Sequence, residues 1–329
     1  MPADTEIIGH SRQRDQLLND ITKNKVAHAY LFCGRARLGK LTVSKWFIEQ
    51  VLTHEKDEKE KKEIVHSIEK NVHPDLITLD QLWIDDVCTD WNTIALSSNL
   101  NQQHRAKSKV KTDVIGIDDI RALQERLHET PQGKRMCCII RSVERLHITA
   151  ANALLKILEE PPPHVLFCFT TESPGLLPST VISRMRVIHF SPVQSEELEP
   201  LLKGIPEEDR SLLLRIAQGS PGVIIRCLDD SSNLREYRQA HIDTKRFLES
   251  NSDLERFQQL SEEIGKKQHS SLFLQHAFLH LQQNLRSENP DTAKKALSTL
   301  HSLFSLLHTL QSNTNKSLLA AHSTLSLSA

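Results

Sequence analysis

Between Ala27 and His189, short apolar runs alternate with longer stretches in which apolar positions recur every three or four residues. "AHAYLFC", "PDLITLD", "MCCIIRSV", "HVLFCFTT" and "MRVIHF" are rich in β-branched, aromatic and aliphatic residues and predict five buried strands. Between them, "LTVSKWFIEQVL" and "IDDIRALQERLHE" carry helical spacing. The clearest helix is "TAANALLKILEEPPP": Ala151, Leu154, Leu155 and Leu158 form one stripe, Thr149 is placed to cap the start, and Pro161 to Pro163 end it. Strands alternating with helices predict an α/β unit, a parallel five-stranded sheet covered on both faces.

Two segments break the alternation. "HEKDEKEKKE" is a charge run with Glu55 to Lys59 and Glu58 to Lys62 at i,i+4 spacing, the pattern of a solvated helix end. From about Leu82 to Lys111 the chain turns polar and ends in "HRAKSKVK", which reads as an insertion or loop. Its basic tail suits a DNA contact, but short solvated basic loops are commoner. Beyond "SPVQSEELEPLLKG" the strands stop, and "GSPG" (Gly219 to Gly222) turns into a helix. From about Leu234 the pattern is helical, including "LFLQHAFLHLQQNL" and "AKKALSTLHSLFSLLHTL", with a break at "SENPD". Three domains are expected: an α/β domain over residues 1–192 with the 82–111 insertion, a small helical lid over 193–233, and an all-α domain over 234–329. Periodicity leaves open whether the last is a bundle or an oligomerisation collar.

Composition narrows the classes. Apolar residues at 38% and charged residues at 25% suit a soluble globular chain. A formal net charge of -1 gives no bulk attraction to nucleic acid, so any such contact needs a local patch. No apolar run approaches the roughly 18 residues that span a bilayer, and "MPADTEIIGHSRQRD" lacks the features of a secretory signal. No membrane contact and a cytoplasmic location are therefore expected. The scattered cysteines, Cys33, Cys88, Cys137, Cys138, Cys168 and Cys227, read as reduced thiols.

The candidate chemistry begins at "LFCGRARLGKLTVSKWF". Gly34, Gly39 and Lys40 match G-x-x-x-x-G-K-[ST], but Leu41 stands where the hydroxyl belongs, and Thr42 comes one place late. Such a loop cradles phosphates with its N–H groups and a lysine, while the hydroxyl helps hold Mg²⁺. A P-loop ATPase also needs carboxylates at the end of a neighbouring strand. In "CCIIRSVERLH" that place holds Arg141 and Ser142, and Glu144 arrives only after Val143. An arginine where a divalent cation should sit is an electrostatic contradiction. The expectation is a site without hydrolysis, in which Gly34, Gly39 and Lys40 bind ATP weakly or Lys40 makes an ordinary ion pair.

"IIGHSRQRDQLLNDITKNKVAHAYLFCG", "HPDLITL", "IGIDDIRALQERL", "AANALLKILEEPPPHVLFCFTTESPGLLPSTVISR" and "GSPG" follow the order seen in bacterial clamp-loader subunits, and over most of residues 6 to 228 the chain resembles the delta-prime branch of that DNA polymerase III family. The resemblance implies a P-loop AAA+ module, a helical lid and a C-terminal collar. It implies as partners the motor subunits gamma/tau and the delta subunit in a hetero-pentameric ring, which opens the sliding clamp and places it on primed DNA. The family's S-R-C motif reads Ser183-Arg184-Met185 here, which makes Arg184 the expected trans arginine finger, with Ser183 beside it. A plain surface ion pair is the alternative for Arg184. Motor relatives carry D-E at Arg141 and Ser142 and a lid arginine where Gly222 stands, so the losses imply the non-hydrolysing member, with no intrinsic catalysis. An active ATPase, either gamma/tau or a DNA-junction motor, is the rival.

Other sites weigh less. Many relatives hold zinc with four cysteines before the "HPD" strand, and this chain has none there. His54, His66 and His73 lack suitable spacing, so no zinc is expected. His73-Pro74-Asp75 reads as a turn into a strand. His301 and His308 fall a heptad apart on a helix, Ser220 lacks the nucleophile-elbow spacing, and a nucleotide kinase would not explain "LLPSTVISR".

Overall fold

The computed structural model describes residues 7–79, 114–250 and 267–285, with isolated positions 255, 258, 259, 294, 297 and 299. The 82–111 insertion, Cys88, the "SENPD" break, His301 and His308 lie outside the described residues. The chain folds as two units, Met1–Glu199 with Gly219–Pro221, and Pro200–Gln218 with Gly222–Ala329.

The first unit is built on the sheet the apolar runs foretell. β1 (Ala29–Cys33), β2 (Leu76–Leu79), β3 (Met136–Ile140) and β4 (Val165–Thr171) are buried along their whole length, while β5 (Arg186–His189) is half-exposed. Their order is β2-β3-β4-β1-β5 and every pairing is parallel. The two-residue repeat of a strand divides the side chains between two cores. Leu31, Cys138, Ile140, Phe167 and Phe169 face α4 (Ile117–Leu127) and α5 (Ile148–Glu159). Tyr30, Phe32, Ile139, Leu166 and Cys168 face α1 (Ser11–Thr22), α2 (Lys40–Thr53) and α3 (Glu58–Glu69). Phe167 and Phe169 stack at 5.7 Å with no exposure. Burying each such ring stabilises by roughly 1.5–3 kcal/mol.

Two buried carboxylates fasten this unit. Asp20 accepts from the Tyr30 hydroxyl at 2.9 Å and pairs with Arg186 at 2.7 Å, tying α1 to β1 and the edge strand β5. Asp75, at the base of β2, accepts from the backbone N–H groups of Gln132 and Gly133, both at 2.7 Å. The "HPD" turn therefore also pins the loop that enters β3.

Three local readings need correction. α5 is capped by His147, whose Nδ1 accepts from the Thr149 N–H at 3.4 Å, because Thr149 already lies inside the helix. Its buried stripe is Ala150, Ala151, Leu154, Ile157 and Leu158, with Leu155 only partly buried, because the buried face centres on the line through Ala150, Leu154 and Ile157. The charge run begins a separate helix rather than ending one. Asp57 caps α3 by accepting from Lys59 and Glu60 N–H groups, Glu58 pairs with Lys61 at 2.8 Å, and Glu55, outside the helix at φ 65°, bonds Lys134 at 2.5 Å.

Short helices α6 (Ser179–Ile182) and α7 (Ser195–Leu198) complete the first unit. The second unit is helical in its described part: α8 (Glu207–Ala217), α9 (Pro221–Asp229, of which Pro221 is counted with the first unit), α10 (Ser231–Glu249) and α11 (Lys267–Leu285). Asp230 caps α10 through the Ser232 N–H at 2.8 Å, and Phe247 meets Phe273 edge-on at 5.4 Å across α10 and α11. Beside that pair, His241 of α10 and His276 and His280 of α11 gather near Arg215 of α8, whose guanidinium lies 2.6 Å from the His241 Nε2.

Candidate functional site

In an open parallel sheet, ligands bind beyond the carboxyl ends of the strands. The glycine loop lies there, between the end of β1 and the start of α2, and the ends of β3, β4 and β5 stand beside it. Gly34 takes its place by absence of bulk: a Cβ there would lie 2.7 Å from the Phe190 carbonyl oxygen. Gly39 caps α2 at φ 94°, a left-handed conformation that suits glycine. The loop is braced from outside by His10, whose Nε2 lies 2.6 Å from the Leu38 carbonyl and whose ring packs on Phe190 at 4.7 Å.

Lys40 is 8% exposed and turns back onto its own loop, donating to the carbonyls of Gly34 and Arg35, each at 2.6 Å. Burial lowers its pKa from the ordinary lysine value, Glu172 and Glu144 oppose that shift, and Arg141 adds to it. Beneath the loop, burial pushes the Cys33 thiol up to about 11. Leu41, standing where the metal-binding hydroxyl belongs, packs against the apolar cluster of α1 and α2, while Thr42 is exposed. The hydroxyl is thus replaced by a core contact, and the late threonine does not restore it.

The end of β3 holds a feature that sequence spacing did not disclose. Ser142 adopts a left-handed conformation, φ 51°, and its N–H donates to Thr170 Oγ1 at 3.2 Å. This kink starts a 3₁₀ turn, Val143–Arg145, which brings Glu144 back to the strand ends. There the Glu144 Oε1 accepts from the Glu172 N–H at 3.3 Å, and its Oε2 is buried without a hydrogen-bond partner among the described residues. Two carboxylates, Glu144 and Glu172, therefore attend the loop lysine, although neither occupies the strand-end positions filled by Arg141 and Ser142. The signal that could have revealed Glu144 is the small polar Ser142, one of the residue types that can turn a chain this sharply.

Ser183 and Arg184 form a separate group, in the turn after α6. Arg184 donates through Nη1 to the Thr180 carbonyl at 2.8 Å and through Nη2 to Glu159 Oε1 at 2.7 Å. Ser183 Oγ donates to the same Thr180 carbonyl at 3.0 Å. Both members of the ion pair are partly exposed, the Arg184 side chain at 34% and Glu159 at 50%.

At the opposite, amino ends of the strands lies a cavity of about 830 Å³ whose lining includes His54, His73, Asp75, Lys134 and Arg135. Among the described residues no group of three or more His, Cys, Asp or Glu side chains converges as a metal site requires. Cys33, Cys137, Cys138, Cys168 and Cys227 are buried and in no disulfide among the described residues, and Ser220 is buried at 3% exposure. No described helix is long and apolar enough to cross a membrane.

Comparison with known proteins agrees with this geometry. The family model described as DNA polymerase III, delta subunit, matches residues 9–194, and the chain belongs to that family. The chain is 27% identical over 228 residues to the DNA polymerase III subunit tau of Bacillus subtilis, covering 68% of this chain and 35% of that one. With the DNA polymerase III subunit delta′ of the same organism it shares 29% identity over 191 residues, 56% of this chain and 49% of the relative. The chain spans about a third of the length of the first curated relatives it matches, 35% of the Bacillus tau subunit. A DNA polymerase III gamma subunit-related protein from Thermotoga maritima superimposes with a TM-score of 0.50 at 18% identity, over 95% of this chain and 97% of that one. The fold is that of the AAA+ module, an α/β unit with a five-stranded parallel sheet.

Proposed function

We propose that this chain is a non-hydrolysing clamp-loader subunit of the delta-prime type, which assembles with other DNA polymerase III clamp-loader subunits in the cytoplasm. In this reading it stands in a hetero-pentameric ring with gamma/tau and delta, and it meets the sliding clamp and primed DNA through that ring. Residues 193–233 serve as the lid and 234–329 as the collar. Arg184 reaches a nucleotide bound by the neighbouring motor subunit and offsets charge on the transferring phosphate.

The observation that carries this reading is a partly buried Leu41 packed against the apolar cluster beside a Lys40 whose ammonium is committed to its own loop. That donor set does not suit a resident magnesium-bound triphosphate: the position after the lysine offers no oxygen, and Arg141 brings positive charge where the metal would sit. Neither a required nucleotide nor zinc enters the proposal.

A second reading, an active ATPase of the gamma/tau kind, draws on the return of Glu144 to the loop and on the likeness to tau. Magnesium-dependent ATP turnover by the purified chain separates the two. The proposal expects none above a Lys40→Ala background. Turnover that Lys40→Ala abolishes supports the ATPase and ends the non-hydrolysing reading. In the reconstituted complex, Arg184→Ala should leave assembly intact and slow total ATP turnover at least tenfold, since trans arginines contribute about 10³ or more elsewhere.

A further inference from the structure

We infer that Glu159 is a latch for Arg184: it parks the guanidinium on its own chain and is displaced when a phosphate group on a neighbouring subunit takes its place. This rests on the arginine-finger reading above and adds a second residue to it.

Three observations carry the inference. The contact is charge-assisted and short, 2.7 Å from Nη2 to Oε1, yet both side chains keep substantial exposure, so an incoming ligand can reach the pair without unfolding anything. The guanidinium is also anchored at a second point, because Nη1 donates to the Thr180 carbonyl at 2.8 Å. Loss of the Glu159 contact therefore leaves the arginine tethered near its resting position, with Nη2 freed for a new acceptor. Finally, Glu159 is the last residue of α5, where the partial negative charge of a helix end disfavours a carboxylate. Arg184 relieves that repulsion, which gives the latch a reason to close when no other anion is near. A phosphate carries more charge than a carboxylate and accepts a charge-assisted hydrogen bond from the freed Nη2, so it replaces Glu159 when presented by a neighbour.

The latch competes with the ligand, so opening it should favour engagement. The full-length chain, reconstituted with its partner subunits, would be assayed for ATP turnover across ATP concentrations. Glu159→Gln is expected to lower the half-saturating ATP concentration about two- to five-fold, the range that a partly exposed ion pair supports. Glu160→Gln, a neighbouring charge without this contact, should leave the curve unchanged. In an Arg184→Ala background, Glu159→Gln should have no further effect, because Glu159 acts only through the arginine. An unchanged or raised half-saturating concentration with Glu159→Gln overturns the latch. So does an equal shift with Glu160→Gln, or one that persists without Arg184. Wild-type turnover in Arg184→Ala alone has a different signature: it removes the arginine finger and the latch with it.

Discussion

The two units house positive charge in opposite ways. In the sheet unit each functional cation has an oxygen partner: Lys40 has two loop carbonyls, Arg184 has Glu159, and Arg186 has Asp20. In the helical unit, Arg215 sits among His241, His276 and His280, with Lys245 also acting on the cluster and Glu249 as the acid near His280. His276 Nε2 and His280 Nδ1 are buried without partners among the described residues. That arrangement is stable only while the imidazoles are neutral. The sheet unit is thus sensitive to the loss of a partner, and the helical unit to the gain of a proton.

The largest expected effect breaks a partnership. Asp20→Ala leaves the buried Tyr30 hydroxyl without its acceptor and Arg186 without its anion. It should cost about 2–3 kcal/mol, less than a fully buried pair because Arg186 can rehydrate at the edge. A lowered denaturation midpoint with an unchanged slope would register it, whereas an unshifted midpoint would mean that the pair adds nothing.

Next comes acid. Burial first, then His241 and Arg215, lower the His276 pKa from 6.5 to about 4. Between those values the unfolded chain accepts a proton that the folded chain refuses, so stability is complete above about pH 6.5 and falls as pH drops towards 4. The loss at pH 5 should be about 2 kcal/mol. It would appear as a lower thermal midpoint at pH 5 than at pH 7, and His276→Phe should flatten that dependence. An acid response unaltered by His276→Phe would place its origin elsewhere.

How much of this could be read from the sequence depended on how local the cause was. The strands, the glycine loop and the replaced hydroxyl at Leu41 were legible, because each depends on side-chain type within a few positions. The return of Glu144 was not, because it follows from the backbone angle at Ser142. The pairing of Arg184 with Glu159 joins residues far apart in the chain, and spacing alone could not show it. The histidine cluster unites three helices whose packing no single periodicity encodes. The charge run misled for the converse reason: local spacing suggested pairs, and a turn at Glu55 placed one member outside the helix.

Two smaller predictions sharpen the contrast within the sheet unit. Lys40→Met removes a buried donor from two carbonyls and should cost about 1–2 kcal/mol in thermal unfolding. Arg184→Ala removes a partly exposed pair and should cost under about 1 kcal/mol. A reversal of that order would mean that Arg184 is a structural element rather than a residue held ready for use.

Asp75 clamps the entrance of β3 to the base of β2, so the two strands are aligned by a bond that does not depend on what the polypeptide does between them. Closing a longer excursion adds only about 0.6 kcal/mol for each doubling of its length. The registration of β3 on β2 is therefore secured at their shared base and is insensitive to the length of chain that joins them.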